Sequence, residues 1–194
     1  MIPVVTSSYE ELLEQLHPDV VVDAILAKKN LGTTRLDAPF VIGVGPGFSA
    51  GRDVNVVIET MRGHNLGRCI YDGEAEPNTG IPGNVGGYTH ERVIHSPKAG
   101  LFTAKRHIGD EVQANEVIGY VDEEPVRAKI TGTLRGILKT GLIVSDHFKL
   151  ADVDARCEES HCYSISDKSL AVGGGVLEAV TAWDYERNKD GKHL

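Results

Sequence analysis

The sequence has few cysteines, few aromatic residues and no long apolar run. Its three cysteines are an odd number, which argues against a disulfide framework and favours a reducing compartment. No apolar stretch approaches the roughly 20 residues that a membrane helix needs, and the N-terminus lacks a charged leader followed by an apolar segment. We therefore expect a cytoplasmic protein without a membrane partner.

The chain is also short of positive charge. Lysine and arginine number 20 against 28 aspartates and glutamates, which gives a net charge of −8. Because nucleic-acid binding needs a concentrated basic surface, this balance argues against a nucleic-acid partner. Arginines are nevertheless well represented between Arg52 and Arg92, and a local cationic pocket in an acidic protein favours a small anion.

The most informative stretch is the glycine-rich block between Phe40 and Gly83. An apolar strand-like run stops at Gly45-Pro46-Gly47, and Gly51 follows four residues later. Such glycines allow positive φ angles and can bring backbone N–H groups up to a ligand. The spacing matches neither the GxGxxG of dinucleotide folds nor the GxxxxGK[ST] of P-loops, so it names no ligand.

Several polar side chains follow this glycine loop, and we predict that they face one anion-binding cavity with it. A tight turn surrounded by solvated arginines explains the same pattern, and the sequence leaves both interpretations open. The predicted ligand-binding residues are Gly45, Gly47, Gly51, Arg62, His64, Arg68, Asn78 and Thr79.

The first 88 residues have the alternating helix and strand order of an α/β domain. Helical spacing runs from Ser8 to Leu16, with Ser7 or Ser8 as the N-cap, and the run DVVVDAIL after His17-Pro18 is typical of a buried strand. Lys28-Lys29-Asn30 then lies at the carboxyl end of that strand, where open α/β sheets place ligands. Further strands are predicted at Phe40 to Val44, Val54 to Ile58 and Cys69 to Tyr71.

Residues 89–156 change to short strands at regular spacing. The region has two halves with the same order of strands and turns, and this pattern resembles the barrel-sandwich module of biotinyl and lipoyl domains. Those carriers present a lysine at the tip of a central hairpin, whereas this region reads GYVDEEPVRAK and places Lys129 too far into the next strand. We therefore predict a docking module that carries no modified lysine.

Residues 157–194 are predicted to form a C-terminal helix and tail that pack back on the N-terminal part. Ser166 is the expected cap, and Leu170, Leu177 and Val180 are expected on one face, with Val176 and Trp183 beside it. Three consecutive glycines, Gly173 to Gly175, cost helix stability and therefore need a reason, of which close packing is the simplest. The predicted fold is mixed α+β.

Cysteine chemistry has one candidate segment, CEESHC, in which Cys157 and Cys162 flank His161. A zinc site normally needs a second pair of ligands, and the sequence has none, so we predict no metal. The remaining explanations for these cysteines are a reactive thiol or inert packing.

Long motifs in this chain resemble the YqeB-type accessory proteins of selenium-dependent molybdenum hydroxylases. The motifs are DVVVDAILAKKNLGTT, GVGPGFSAGRDVNVVIETMRGHNLGR, PNTGIPG and ISDKSLAVGGGVLEAV. The resemblance implies a cytoplasmic factor that accompanies a hydroxylase client and handles, without retaining, a molybdenum- or selenium-containing species. It also maps a family cysteine onto Cys162, whose thiolate would suit selenium or sulfur exchange.

The chain departs from longer relatives at its start, where their glycine-rich, nucleotide-fold-like segment is expected but absent. The leading hypothesis is an accessory or maturation factor that binds an anionic cofactor or precursor and docks on the client. The alternative is an enzyme that acts on a phosphate- or carboxylate-bearing small molecule at the GPGFSAG and RGHNLGR segments. The sequence leaves the ligand, the client and self-association into a homo-oligomer open.

Overall fold

The computed structural model describes residues 2–189 and shows a mixed α/β protein with several sheets and a C-terminal helix. The chain forms two compact units. Unit 1 comprises the described residues up to Thr79 together with those from Asp167 onward, and unit 2 comprises Gly80–Ser166. In the described residues, no helix combines the length and the apolar character needed to cross a bilayer.

Unit 1 is built on a four-stranded sheet in the order β1-β2-β4-β5. β1, β2 and β4 run parallel, and β5 pairs with β4 in the antiparallel sense. β3, which lies between β2 and β4 in the chain, pairs with β6, which follows β5, in a separate two-stranded antiparallel ladder. The strands are β1 (Val20–Asp23), β2 (Phe40–Val44), β3 (Ser49–Ala50), β4 (Val56–Ile58), β5 (Cys69–Ile70) and β6 (Gly73–Glu74).

Helix α1 (Tyr9–Leu16) confirms the predicted N-terminal helix. Ser8 is its N-cap and forms a capping box, because its hydroxyl accepts from the Glu11 N–H and the Glu11 carboxylate accepts from the Ser8 N–H. Reciprocal bonds of this kind satisfy two of the amides that a helix start leaves unpaired. β2 also lies where the sequence predicted it, whereas β4 begins two residues later than expected.

Helix α2 (Asp167–Lys189) covers one face of the unit 1 sheet. Its inward residues pack on alternate residues of β2, such as Phe40 and Ile42, because neighbouring strand residues point to opposite faces. The other face packs on Phe48 and on the loops around β3 and β6. At Gly43 a Cβ would lie 2.5 Å from the Phe48 ring, so glycine is required there.

The predicted inward face of α2 was wrong in part. Leu170 and Leu177 are 64% and 67% exposed, and the side chains that pack on the sheet are those of Val172, Val176, Ala179, Val180 and Trp183. The physical reason is a close approach by small residues. A Cβ at Gly175 would clash with the carbonyl oxygen of Gly67, whereas Gly173 and Gly174 face open space. Close packing therefore explains one glycine of the three.

Unit 2 contains two four-stranded antiparallel sheets, in the orders β11-β10-β8-β13 and β7-β14-β12-β9. Residues from both sheets, including Phe102, Ile118 and Leu134, form a single buried cluster. Within residues 80–166 the strands form these two sheets and not one closed barrel. The strands are β7 (Val93–His95), β8 (Gly100–Ala104), β9 (Glu111–Val112), β10 (Val117–Val121), β11 (Glu124–Arg127), β12 (Gly132–Ile137), β13 (Leu142–Val144) and β14 (Lys149–Asp154).

The central hairpin of unit 2 joins β10 to β11. Asp122, at φ 52°, and Glu123 form its turn, so the tip carries two acidic residues and no lysine. Lys129 lies beyond the end of β11. After β14, a short 3-10 helix, Glu159–Cys162, precedes the segment that leads to α2.

Candidate functional site

The parallel strands β1, β2 and β4 end at one edge of the unit 1 sheet, which we call the carboxyl edge. Asp23, Glu59 and Thr60, which lie at or just beyond these strand ends, are buried, and so is Thr33 in the loop after β1. Burial of polar groups is costly unless they are hydrogen-bonded. The carboxyl edge is therefore a built polar region and differs from the apolar middle of the sheet.

The loops that follow the three strands meet at this edge. A Cβ at Gly45 (φ 86°) would lie 2.9 Å from Thr60 Oγ1 and 3.6 Å from Leu26 Cδ2. At Gly47 (φ 111°) a Cβ would lie 2.6 Å from the Cα of Lys29. Glycine is therefore required at both positions for two reasons: the backbone has a positive φ, and a neighbouring atom leaves no room for a Cβ. The loop after β2 is held between the loops after β1 and β4.

The amide of Gly45 is paired within the sheet, so it is not one of the bare N–H groups expected of this loop. It donates to the carbonyl of Ile58 at 2.9 Å and so extends the pairing of β2 with β4. The glycine loop therefore contributes shape to the carboxyl edge, and charge must come from neighbouring side chains.

Glu59 organises the turn after β4 through its buried carboxylate, which is 3% exposed. One oxygen accepts from the Met61 N–H at 2.6 Å and the other from the Glu76 N–H at 2.8 Å. The backbone N–H of Glu59 donates to the Arg68 carbonyl, and its own carbonyl accepts from the Gly67 N–H. One acidic residue thereby fixes three segments of the chain at the edge of the sheet.

Asp23 does the same for the loop after β1. Its carboxylate accepts from the Thr33 hydroxyl at 2.7 Å and from the Ile25 N–H at 3.1 Å. The Asn30 side chain closes the other end of the loop by donating to the Thr33 carbonyl and accepting from the Gly32 N–H. These bonds hold Lys28, at φ 65°, and Lys29 in a defined loop conformation.

Three cations, Lys28, Arg62 and Lys168, converge at the carboxyl edge. Burial lowers the pKa of the Lys168 ammonium, the charges of Lys28 and Arg62 lower that pKa further, and Glu59 opposes them. Arg62 makes a bidentate contact with Asp167 in the first turn of α2, at 2.7 and 2.9 Å. The cluster of Lys28, Arg62 and Lys168 therefore holds three positive charges against the carboxylates of Glu59 and Asp167.

A cluster of this composition can hold a small anion. A partly buried ammonium whose charged form is disfavoured gains stabilisation when a negative group approaches it. The start of α2 lies at the same place, and the first turn of a helix also favours negative charge. The chemistry that the carboxyl edge supports is recognition of a phosphate or carboxylate group.

The other predicted site residues lie in separate segments. His64 and Arg68 have exposed side chains in and after the turn at Gly63 to Gly67, and Gly51 belongs to the turn after β3, where its carbonyl accepts from Arg35. Among residues 2–189, no hydrogen bond or ion pair joins the side chains of His64, Arg68 or Asn78 to the Gly45–Gly47 turn. Asn78 and Thr79 follow Glu76, the residue tied to Glu59. The shared cavity stays a prediction.

Cys162 lies in unit 2, at the end of the 3-10 helix. Its thiol is half-buried, and its Sγ lies 3.9 Å from the Leu134 carbonyl oxygen. Cys157 is exposed at φ 55°, and the Nδ1 of His161 lies 4.0 Å from a carboxylate oxygen of Asp154. Within the described part of the chain, no group of three or more His, Cys, Asp or Glu side chains is arranged to hold a metal ion.

Sequence reasoning missed Glu59, Thr60 and Lys168. A glutamate and a threonine directly after a β-branched run were a usable signal, because they sit at the carboxyl end of a predicted strand. Lys168 gave no such signal, since only the docking of α2 brings it beside residues near the start of the chain.

No family model matches the chain. The uncharacterized protein YqeB of Escherichia coli (strain K12) is 50% identical over 179 residues, which cover 92% of this chain. The chain is therefore similar to YqeB over most of its own length. It spans about a third of that relative, 33% of its length.

Two solved structures share smaller regions with the chain. An aspartoacylase family protein from Mesorhizobium loti is 21% identical, with a TM-score of 0.31, over 33% of this chain and 23% of that one. The product-bound ectoine utilization protein EutE (DoeB) of Ruegeria pomeroyi is 17% identical, with a TM-score of 0.30, over 43% of this chain and 27% of that one. At such scores neither likeness carries an argument.

Proposed function

We propose that unit 1 binds a small anion bearing a phosphate or carboxylate group at the carboxyl edge, between Lys28, Arg62 and Lys168. The observation that carries this proposal is the convergence of three cations at a point where Lys168 is partly removed from water. An incoming anion would add a counter-charge next to Lys168, whose charged form is disfavoured there by burial and by the neighbouring cations. The glycines at 45 and 47 give the loop the shape that this approach needs.

The biological role we propose is that of an accessory or maturation factor for a selenium-dependent molybdenum hydroxylase. The anion would then be a molybdenum- or selenium-containing cofactor or precursor that is handed to the client enzyme. Support comes from the resemblance of the four long motifs, three of which contribute Lys28, Gly45, Gly47, Arg62 and Lys168. The action proposed for this chain takes place in the cytoplasm.

For unit 2 we propose a non-carrying docking module of the barrel-sandwich type. Two antiparallel four-stranded sheets around one core support this proposal, as does the acidic turn of the central hairpin. A carrier domain attaches its prosthetic group to a lysine at that turn. In this chain Asp122 and Glu123 occupy the turn, so the attachment site is missing there. The expected partner of unit 2 is the client hydroxylase.

A second candidate is catalysis at the carboxyl edge. The pKa of Lys168 is lowered beside the carboxylate of Glu59, and an ammonium of reduced pKa is a candidate proton donor or acceptor. This observation favours an enzyme that acts on a phosphate- or carboxylate-bearing substrate. Turnover of nucleotides or selenophosphate by the purified chain, lost in Lys168→Gln, would support it over simple binding.

The binding proposal is tested by calorimetric titration of the full chain with inorganic phosphate and with pyrophosphate at low ionic strength. We expect saturable binding that Lys168→Gln and Lys28→Gln each weaken by about 5- to 10-fold, because each removes one charge contact. The matched control is Lys139→Gln on unit 2, which should bind as the unchanged chain does. Equal affinity in Lys168→Gln and in the control would refute the site.

The accessory role needs a separate experiment. The full chain, tagged and expressed in cells that contain a selenium-dependent hydroxylase, should co-purify with that enzyme. Deleting the gene that encodes the chain should lower the hydroxylase activity of the cells. Expression of the Lys168→Gln variant should then restore less of that activity than expression of the unchanged chain does. Anion binding without any effect on the hydroxylase would keep the site and overturn the role.

A further inference from the structure

A second cleft lies at the opposite edge of the unit 1 sheet, where the parallel strands begin. Its volume is about 390 Å³, and we call it the amino-edge cleft. Phe40 starts β2, Asn55 precedes β4, and Tyr71 directly follows β5, while the remaining lining comes from the last turns of α2. The lining residues are Phe40, Asn55, Tyr71, Ala182, Trp183 and Glu186.

The walls of the amino-edge cleft are held in place by contacts of their own. The rings of Phe40 and Trp183 stack with their centroids 5.3 Å apart and an interplanar angle of 6°. The guanidinium carbon of Arg187 lies 4.7 Å from the Trp183 ring centroid, and Arg187 also donates to Asp19 at 2.8 Å. Asn55 Oδ1 accepts from the Val41 N–H at 2.8 Å. The cleft is therefore preformed.

The cleft has a negative electrostatic character. Burial raises the pKa of Tyr71, and the negative charges of Glu178 and Glu186 raise it further. Within residues 2–189, neither Glu178 nor Glu186 forms an ion pair, whereas the charge of Arg187 is matched by Asp19. The cleft is thus lined by one carboxylate, that of Glu186, for which the described part of the chain provides no ion-pair partner.

We propose that the amino-edge cleft binds an organic cation, with an ammonium or guanidinium group placed between Glu186 and the ring of Tyr71. The carboxylate accepts N–H bonds from the ligand, and the electron-rich ring face attracts its positive charge. Phe40 and Trp183 stack on each other and the Arg187 guanidinium lies over Trp183, so Tyr71 is the lining aromatic ring that we assign to this contact. The volume suits a small amine or one basic side chain of a partner.

This inference is independent of anion binding at the carboxyl edge, because it concerns other residues and a ligand of opposite charge. An anionic ligand would meet the carboxylate of Glu186, which lines the cleft. A neutral heterocycle could stack on Tyr71 but would leave the charge of Glu186 unmatched. Electrostatic complementarity therefore selects a cation.

Trp183 is the sole tryptophan of the chain, so its fluorescence reports on the cleft. The full chain is titrated with 1,5-diaminopentane and with the uncharged 1,5-pentanediol at constant ionic strength, and saturation-transfer NMR provides a second readout. We expect saturable binding of the diamine only. Glu186→Gln and Tyr71→Leu should each weaken it by about fivefold, since each removes one direct contact.

The matched control is Glu14→Gln on α1, an exposed glutamate of the same unit, and it should bind the diamine as the unchanged chain does. Equal binding of the diol, unaltered binding in Glu186→Gln, or no binding in both readouts would each overturn the proposal. Glu186 is on the surface of α2, so its substitution leaves the fold available for the test.

Discussion

Glu59 in unit 1 and Asp154 in unit 2 are both buried carboxylates, and they are stabilised in different ways. Glu59 and Asp154 are both 3% exposed. Glu59 receives only backbone amides, from Met61 and Glu76. Asp154 accepts from the guanidinium of Arg156 at 2.9 and 2.6 Å, and Arg135 and His161 lie 4.0 Å away. The Glu59 carboxylate is therefore stabilised by the dipoles of backbone amides, whereas the Asp154 carboxylate is stabilised by charged side chains.

This difference separates a structural group from a group that can take part in function. The Arg156 guanidinium holds the pKa of Asp154 below its usual range, and the charge of that carboxylate is matched inside unit 2. Amide dipoles stabilise Glu59 without cancelling its charge, so Glu59 still acts on Lys168. A buried acid held by amides beside a cation cluster is therefore the more informative feature for function.

The largest effect is expected when the charge of Asp154 is removed. Asp154→Asn leaves Arg156 and Arg135 without their common partner, and we expect a loss of about 3 kcal/mol in the unfolding free energy of unit 2. Denaturant unfolding of the full chain measures it. Asp146→Asn, an exposed neighbour of His147, is the control and should change little. A loss in Asp154→Asn no larger than in the control would show that the arginines do not depend on Asp154.

Unit 1 should respond most to Gly175→Ala. The added Cβ would meet the Gly67 carbonyl, next to the amide that donates to Glu59, so α2 must move away from the sheet. We expect unit 1 to lose about 2 kcal/mol of unfolding free energy. Gly174→Ala is a closely matched control, because its Cβ meets open space, and it should stabilise the helix by about 1 kcal/mol. The same sign of change in both variants would contradict this packing.

A smaller loss is expected for Glu59→Gln. The amide keeps one acceptor but turns its NH₂ group toward one of the two N–H donors, which costs about 1–2 kcal/mol. The measurement is again denaturant unfolding, with the exposed Glu76→Gln as control. If Glu59→Gln unfolds at the denaturant concentration of the unchanged chain, the carboxylate does not organise this turn.

The smallest effect is one of pH on unit 2. Because the pKa of Asp154 is lower in the folded state than in the unfolded state, its contribution is present above the ordinary aspartate pKa, about 4. That contribution is lost as pH falls through the lowered value. The difference in unfolding free energy between the unchanged chain and Asp154→Asn should therefore narrow as the pH falls from about 5 through the lowered pKa of Asp154. Thermal melts at stepped pH measure this gap, and a constant gap would contradict the assignment.

Much of the fold of unit 1 could be predicted from local signals. Ser8 and Glu11 identify a helix start, and the β-branched residues around Ile42 identify a buried strand. The inward face of α2 could not be predicted from apolar spacing, because the contact depends on the absence of a side chain at Gly175. Leu170 and Leu177 fit the expected period and are nevertheless exposed.

The candidate site was predictable at its loops and not at its charges. The glycines at 45 and 47 and the lysines after β1 were visible as a pattern at strand ends. Glu59 looked like an ordinary acid, since its partners are backbone amides that no residue type reveals. Lys168 reaches the site only because α2 packs against strands that are far away in the sequence. The periodicity of apolar residues carries no information about such a long-range contact.

The discontinuity of unit 1 has a consequence for synthesis on the ribosome. Phe40, Ile42 and Ile58 emerge early, but the helix that covers them follows all of Gly80–Ser166. Unit 2 can therefore complete its core while one apolar face of the unit 1 sheet still waits for its cover. Until α2 is synthesised, that apolar face is the surface of the nascent chain most prone to aggregation. We therefore expect a holding chaperone to bind it during synthesis.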